Sequence, residues 1–243
     1  MQALERLCGD EGAKLLLGSP DFGPRWGSRV DLFQPRTAAL QLLHQSIKGR
    51  YVAELAYIEI ALDMIAKDQA KADAIGAGVL RHCVRPYQRR DVCLRGSIFY
   101  WASRLAPSNL VLYLDKPSKQ AGARDGSPCA HLEVRLRGSP ALAQANLYGL
   151  PDVIGLDHLA FWERAVRLYS IRSYAELGRW LGTAASGSAL RKRAHAYLGD
   201  FAVNGTFILQ NALLADRDVM QVLRPIEVAN LFVGRRGRLE PWV

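Results

Sequence analysis

Acidic side chains recur on the polar side of three short segments in which apolar and polar residues alternate. The segments are 57–63 (YIEIALD), 110–115 (LVLYLD) and 131–136 (HLEVRL). Successive side chains of a β-strand point to opposite faces of a sheet, so each segment is expected to be a strand with one polar face. Carboxylates that converge on one face repel one another unless a divalent cation or an arginine lies among them. The sequence predicts a metal site with five candidate ligands: Glu59, Asp63, Asp115, Glu133 and His131.

A hard divalent cation, Mg²⁺ or Mn²⁺, suits these oxygen ligands, and the imidazole of His131 favours Mn²⁺. His131 and Glu133 flank a single apolar residue, so both side chains are expected to point the same way. This spacing is similar to the one by which nickases of the HUH class hold a metal. The alternative interpretation is an ordinary solvated sheet face, which is also polar.

Hydrophobic periodicity predicts the elements that position these side chains. Segment 37–47 has helical spacing and segment 68–80 is rich in alanine, so both are predicted to be helices. A further helix is predicted over 157–171, with Asp157 as its N-cap, and another over 173–182. The predicted fold class is α+β, with a mainly antiparallel sheet over about residues 50–140 and helices packed on it. The predicted domains are an irregular arm over 1–35, a β-rich core over 36–145 and a helical region over 146–243.

The composition is that of a globular protein with room for one large core or two small ones. The chain has 243 residues, of which 49% are hydrophobic. No apolar run approaches the ~18 residues of a spanning helix, so neither a signal peptide nor a membrane anchor is expected. The four cysteines form no C-x-x-C pair, which favours reduced thiols and a cytoplasmic location over a zinc site or a disulfide framework.

Positive charge exceeds negative charge, since 32 Lys and Arg against 23 Asp and Glu give a formal net charge of +9. Most of the excess is arginine, whose guanidinium group binds phosphate through two parallel hydrogen bonds. Nucleic acid is therefore the expected class of partner, with a merely soluble basic surface as the alternative. The candidate DNA-binding residues are Arg85, Arg89, Arg90, Arg135, Lys119, Arg191, Lys192 and Arg193.

Four sequence blocks occur in an order that resembles a known family. They are YIEIALD (57–63), SIFYWASRLAPSN (97–109), LVLYLDKPSK (110–119) and HLEVRLRG (131–138). Their order and spacing are similar to those of replication initiation factors of rolling-circle plasmids and filamentous phages, the Rep_trans type. Glu59 stands where that family usually has Asp, and Tyr57 stands near a common Arg position. The Thr and Gly of the second family block appear here as Ile98 and Ala102.

The resemblance implies a metal-dependent strand transfer on DNA. In such initiators a tyrosine hydroxyl attacks a DNA phosphate and leaves a 5′-phosphotyrosine and a free 3′-hydroxyl that primes synthesis. Tyr100 matches the family block best and is the first candidate nucleophile, and Tyr113 is the second because it shares a strand face with Asp115. The predicted metal would polarise a phosphate oxygen. The side chains expected to offset charge in the transition state are Arg104, Lys116 and Arg135.

Two other functions fit the same sequence features. One is a DNA-binding relative that has the fold without the chemistry, and the other is a metal-dependent nuclease that uses water instead of tyrosine. The expected partners are DNA, either single-stranded or as an origin hairpin, and, under the resemblance, a host helicase.

Overall fold

The structure is a computed structural model, and it divides into two compact units. One unit comprises Met1–Ala56 and Gly138–Leu156, and the other comprises Tyr57–Arg137 and Asp157–Val243. These boundaries differ from the predicted division at residues 35 and 145, because 138–156 groups with the N-terminal part of the chain. The residues that the structure describes are 1–8, 12–18, 26–86, 93–95, 98–115, 117–118, 126–172, 220 and 223–231.

The described elements confirm the predicted α+β class. The helices are α1 Gln2–Glu5, α2 Thr37–Ile47, α3 Gln69–His82, α4 Ser139–Gln144, α5 Leu150–Ile154 and α6 His158–Ala165. The strands are β1 Ala13–Leu17, β2 Ser28–Leu32, β3 Tyr57–Ile65, β4 Cys83–Val84, β5 Cys93–Arg95, β6 Ile98–Tyr100, β7 Ser108–Tyr113, β8 Cys129–Arg137, β9 Arg167–Ile171 and β10 Leu223–Ile226. A 3₁₀ turn follows over Val228–Leu231.

The second unit is built on a five-stranded antiparallel sheet with the strand order β3-β8-β7-β6-β5. Apolar residues occupy most of the even-numbered positions of β3, β7 and β8, so pairing in register assembles one apolar face. Leu132 on β8 lies between Leu62 of β3 and Leu112 of β7. Helix α3 packs on β8. A Cβ atom on Gly76 of this helix would collide with Leu114 Cδ2, which shows how closely the helix approaches the end of β7.

Removing the side chain of Leu132 is expected to destabilise this unit by about 3 kcal/mol, because its side chain is fully buried at the centre of the sheet. The measurement is the free energy of unfolding of Leu132→Ala in urea. Leu105→Ala is the matched control, since Leu105 is 75% exposed and its truncation removes almost no buried surface. Equal loss of stability in the two variants would contradict the burial of Leu132.

A three-stranded antiparallel sheet with the order β10-β9-β4 corrects the helix predicted over 157–171. Helix α6 begins as expected, with the Asp157 carboxylate accepting a hydrogen bond from the Ala160 amide at 3.0 Å, but it ends at Ala165. Residues 167–171 form β9 instead. Leu168 is buried and pairs with Cys83 on one side and Ile226 on the other. Tertiary strand pairing thus overrides the local helical pattern after residue 165.

The first unit corrects the prediction of an irregular arm over 1–35. Strands β1 and β2 pair antiparallel, from Ala13 opposite Leu32 to Leu17 opposite Ser28. Leu15, Leu16 and Leu17 are all exposed, so this segment lacks the alternation by which a half-buried strand is recognised. Helix α2 was predicted with the bounds that it has. Ala39 of α2 is fully buried in a core that includes Leu4 and Ala13.

In the described part of the chain, none of the helices is both long enough and apolar enough to cross a membrane. The predicted helix over 173–182 lies outside the described residues.

Candidate functional site

The polar face of the five-stranded sheet brings together most of the residues that were predicted to do chemistry. Strand register places Glu59 opposite Arg135 and Asp63 opposite His131, because β3 and β8 pair along their full lengths. On the other side of β8, Tyr113 of β7 lies opposite His131. The central strand of this face is therefore β8, whose side chains His131, Glu133 and Arg135 point between the polar side chains of its two neighbours.

His131 links two carboxylates. Its Nδ1 hydrogen-bonds with Asp63 Oδ1, and its Nε2 lies 3.1 Å from Glu133 Oε2. The second oxygen of Asp63 accepts a hydrogen bond of 2.7 Å from Ser118 Oγ. Burial lowers the pKa of His131, but the hydrogen bonds and charges of Asp63 and Glu133 outweigh it and raise that pKa to about 9. At neutral pH His131 is an imidazolium that donates to both carboxylates.

Arg135 is the second cation of this face and contacts three other groups. Its Nε donates to Glu133 Oε1 and lies 3.2 Å from Glu59 Oε1, while its Nη2 donates to the hydroxyl of Tyr113. Glu133 is only 5% exposed. Burial raises the pKa of Glu133, but the hydrogen bond from His131 and the charge of Arg135 outweigh it and hold that pKa below its usual value. Glu133 is thus a buried carboxylate anion with a cation on each side.

Of the two predicted nucleophiles, Tyr113 contacts the charged groups. Its hydroxyl lies 3.3 Å from Glu133 Oε1, and its ring centre lies 5.6 Å from that of His131. Burial and the Glu133 charge raise the pKa of Tyr113 well above its usual value, against a smaller opposing effect of Arg135. Tyr100 packs beside it in an apolar cluster with Ile98 and Val111. The side chains of Tyr113 and Tyr100 are 4% and 5% exposed, so both are shielded from solvent.

Three residues that were not among the predicted site residues join this face. Tyr57 donates a hydrogen bond to Glu59 Oε1, and the guanidinium carbon of Arg137 lies 5.6 Å from the centre of the Tyr57 ring. The alternation that pointed to Glu59 also places Tyr57 on the polar side of its strand, and the same spacing from Glu133 and Arg135 leads to Arg137. Ser118, by contrast, reaches Asp63 from outside the strands, across 55 positions in the chain, and no local pattern identifies it.

Other predicted residues lie elsewhere in the unit. Asp115 is exposed two positions beyond the end of β7, and Arg104 is exposed in the connection between β6 and β7. Arg85 is half-buried and donates to Ser108 Oγ, and burial lowers its pKa to about 10, so it is not an open surface cation. The remaining predicted cations fall outside the described residues: Arg89, Arg90, Lys116, Lys119, Arg191, Lys192 and Arg193.

The predicted metal ligands have the right chemistry, since two carboxylates and an imidazole lie within hydrogen-bond distance on one face. Their arrangement is closed, however, because both ring nitrogens of His131 are turned to carboxylate oxygens. Among the described residues, no group of three or more His, Cys, Asp or Glu side chains is arranged to hold a metal ion. A metal bound here would have to replace the imidazolium proton as the positive charge between Asp63 and Glu133.

Comparison of the chain with protein-family models, with curated proteins and with solved structures found no match in any of the three.

Proposed function

We propose that this protein is a replication-initiator-like DNA-binding protein that nicks one DNA strand at an origin through a tyrosine nucleophile. The observation that carries the proposal is the environment of the Tyr113 hydroxyl, which lies against the Glu133 carboxylate and the Arg135 guanidinium. A phenol needs a proton acceptor to become a nucleophile, and a phosphodiester needs a cation to accept one. Both groups contact the same hydroxyl.

The proposed step is a phosphoryl transfer. Tyr113 Oη attacks the phosphorus, the bond from phosphorus to the 3′-oxygen breaks, and the leaving 3′-oxygen keeps the electron pair. Because the pKa of Tyr113 is raised, its hydroxyl is protonated at rest and gives up its proton during the attack. Glu133 accepts that proton, and a proton returns to the 3′-oxygen. The products are a 5′-phosphotyrosine and a free 3′-hydroxyl.

Arg135 supplies positive charge at the point where the phosphate gains negative charge during the reaction. Arg135 contacts Tyr113 and stays protonated, because the charge of Glu133 outweighs burial and raises the pKa of Arg135. Asp63 orients His131, and His131 in turn holds Glu133, so the proton acceptor has a fixed position. Tyr100 remains the other candidate nucleophile, as its position in the resembling block implies.

The proposal includes a divalent cation, Mg²⁺ or Mn²⁺, which would take the place of the imidazolium proton and bind Asp63, Glu133 and His131, with Glu59 beside them. The cation would polarise a phosphate oxygen. Glu133→Gln is expected to slow nicking, because it removes the proton acceptor, and to raise the Mn²⁺ concentration needed for half-maximal nicking at least ~10-fold, because it removes one anionic ligand. The measurement is nicking against Mn²⁺ concentration. Glu163→Gln on α6 is the matched control, since Glu163 is exposed and remote in sequence from this face. An unchanged Mn²⁺ dependence in Glu133→Gln would remove Glu133 from the ligand set.

The proposed substrate is single-stranded DNA or an origin hairpin in the cytoplasm, with a host helicase as a further partner. The net charge of +9 supports a polyanionic partner. Binding is expected to weaken steeply as salt rises, because each phosphate contact releases condensed counterions.

The test is incubation of the full chain with supercoiled plasmid carrying the cognate origin and Mn²⁺. Nicking together with protein covalently attached to the 5′ end supports the proposal. Nicking without an adduct would identify a nuclease that uses water.

A DNA-binding relative without the chemistry is the second candidate, and one observation favours it. Both predicted nucleophiles are at least nine-tenths buried, whereas a nucleophile has to reach a phosphate. DNA binding with neither nick nor adduct would establish this second function.

A further inference from the structure

A cleft of about 410 Å³ opens beside the polar face of the sheet, within the second unit. Its volume is in the range of sites that hold small ligands or single units of a polymer. Leu105 and Ala106 form its apolar part. Its polar lining consists of Tyr57, Ser103, Arg104, Asn109, Arg135 and Arg137.

The cleft is basic. Three of its lining side chains are arginines, and among the described residues that line it none is acidic. The charge of Arg135 is largely offset by Glu133 and Glu59. Arg104 and Arg137 are exposed. Unlike Arg135, neither of them forms an ion pair with a carboxylate of the described residues. The positive charge of the cleft therefore comes mainly from Arg104 and Arg137.

The wall that carries Arg104 is held in place by hydrogen bonds. Ser103 and Ala106 close a tight turn through a bond of 2.8 Å from the Ala106 amide to the Ser103 carbonyl. Asn109 is 1% exposed, and its Nδ2 donates to the carbonyls of Ser103 at 3.0 Å and Ala102 at 3.4 Å. The Arg137 amide donates to the Pro107 carbonyl at 2.7 Å, which ties the same connection to β8. A pre-formed wall lowers the entropy lost when a ligand binds.

The wall of the cleft also contains an unpaired hydrogen-bond acceptor. Asn109 Oδ1 is buried and has no hydrogen-bond partner among the described residues. A buried acceptor left unpaired is unfavourable, so a ligand or water that donates to it is stabilised there. Anion-binding arginines combined with an acceptor amide match a nucleotide, which presents a phosphate together with N–H groups of its base.

We propose that this cleft binds one nucleotide of a single DNA strand, with its phosphate on Arg104 and Arg137. The inference rests on the proposed function and extends it, because Arg135 belongs both to the cleft and to the site around the Tyr113 hydroxyl. It lines the cleft and also donates to the Tyr113 hydroxyl. A phosphate seated in the cleft is thereby linked through one guanidinium to the candidate nucleophile.

The test measures binding of a short fluorescein-labelled oligothymidine to the full chain by fluorescence anisotropy, in EDTA so that no cleavage accompanies binding. Arg104→Gln and Arg137→Gln are each expected to raise the dissociation constant ~10-fold and to lower the salt dependence by about one phosphate contact. Arg164→Gln is the matched control, because Arg164 is exposed on α6 and does not line the cleft. It is expected to change the dissociation constant less than ~2-fold.

Equal weakening of oligothymidine binding in all three variants would contradict binding in the cleft, because it would show diffuse attraction of DNA to the basic surface. Normal binding by Arg104→Gln and Arg137→Gln would also overturn it. The plasmid nicking assay separates this inference from the proposed function. Selective loss of oligothymidine binding in a protein that never nicks would retain the cleft and reject the nickase. Nicking that continues with normal binding in both cleft variants would retain the nickase and reject the cleft.

Discussion

Replacing Tyr113 with phenylalanine is expected to abolish the covalent protein–DNA adduct, with a loss of at least ~1,000-fold in nicking rate, because the substitution removes the attacking oxygen. Tyr113 is the candidate whose hydroxyl contacts both a carboxylate and a guanidinium. The substitution leaves the ring, and therefore most of the packing against His131, in place. DNA binding and folding are thus expected to persist.

The measurement is recovery of labelled DNA on the denatured protein after incubation with Mn²⁺. Tyr148→Phe is the matched control, because Tyr148 is 69% exposed and belongs to the first unit. Tyr100→Phe tests the other predicted nucleophile and is expected to keep the adduct. Loss of the adduct in Tyr100→Phe but not in Tyr113→Phe would assign the nucleophile to Tyr100. An adduct that survives in both variants would eliminate both tyrosines.

The sheet was predictable because the local sequence of its main strands already shows the pattern of a β-strand. The segments around Glu59, Tyr113 and Glu133 have an apolar residue at every second position, and such a segment has one way to bury that side. Strand β9 was missed for the opposite reason. Arg167–Ile171 follows a helix with little change in composition, and the partners that make it a strand, β4 and β10, lie far away in the chain. Local periodicity contains no information about such partners.

The sequence predicted which strand residues share one face of the sheet but not how their side chains pair with one another. Alternation placed Asp63, Glu133 and His131 on one face, but the register between strands is a property of the pairing and is invisible in one segment. The sequence therefore suggested carboxylates converging on an ion, whereas the structure places His131 and Arg135 between them. Two side chains of the chain itself supply the positive charge that the acids require.

This arrangement makes the stability of the second unit depend on pH. The pKa of His131 is about 9 in the folded protein and ~6.5 in an unfolded chain. A group whose pKa is raised by folding stabilises the folded state fully below its unfolded pKa, and that contribution is lost as pH rises through the folded pKa. The free energy of unfolding is expected to fall by ~3 kcal/mol between about pH 6 and pH 10. His131 is 21% exposed, so solvent screens the effect only in part.

The measurement is urea unfolding in EDTA across that range, combined with an NMR titration of His131. His131→Gln is expected to flatten the pH dependence, because glutamine cannot become a cation between Asp63 and Glu133. His158→Gln is the matched control, since His158 is exposed at the start of α6 and its replacement leaves the His131 contacts intact. The pH dependence of the free energy of unfolding of His158→Gln should match that of the unmodified protein. A His131 that titrates near its unfolded value, or a slope that survives in His131→Gln, would show that imidazolium does not hold the two carboxylates together.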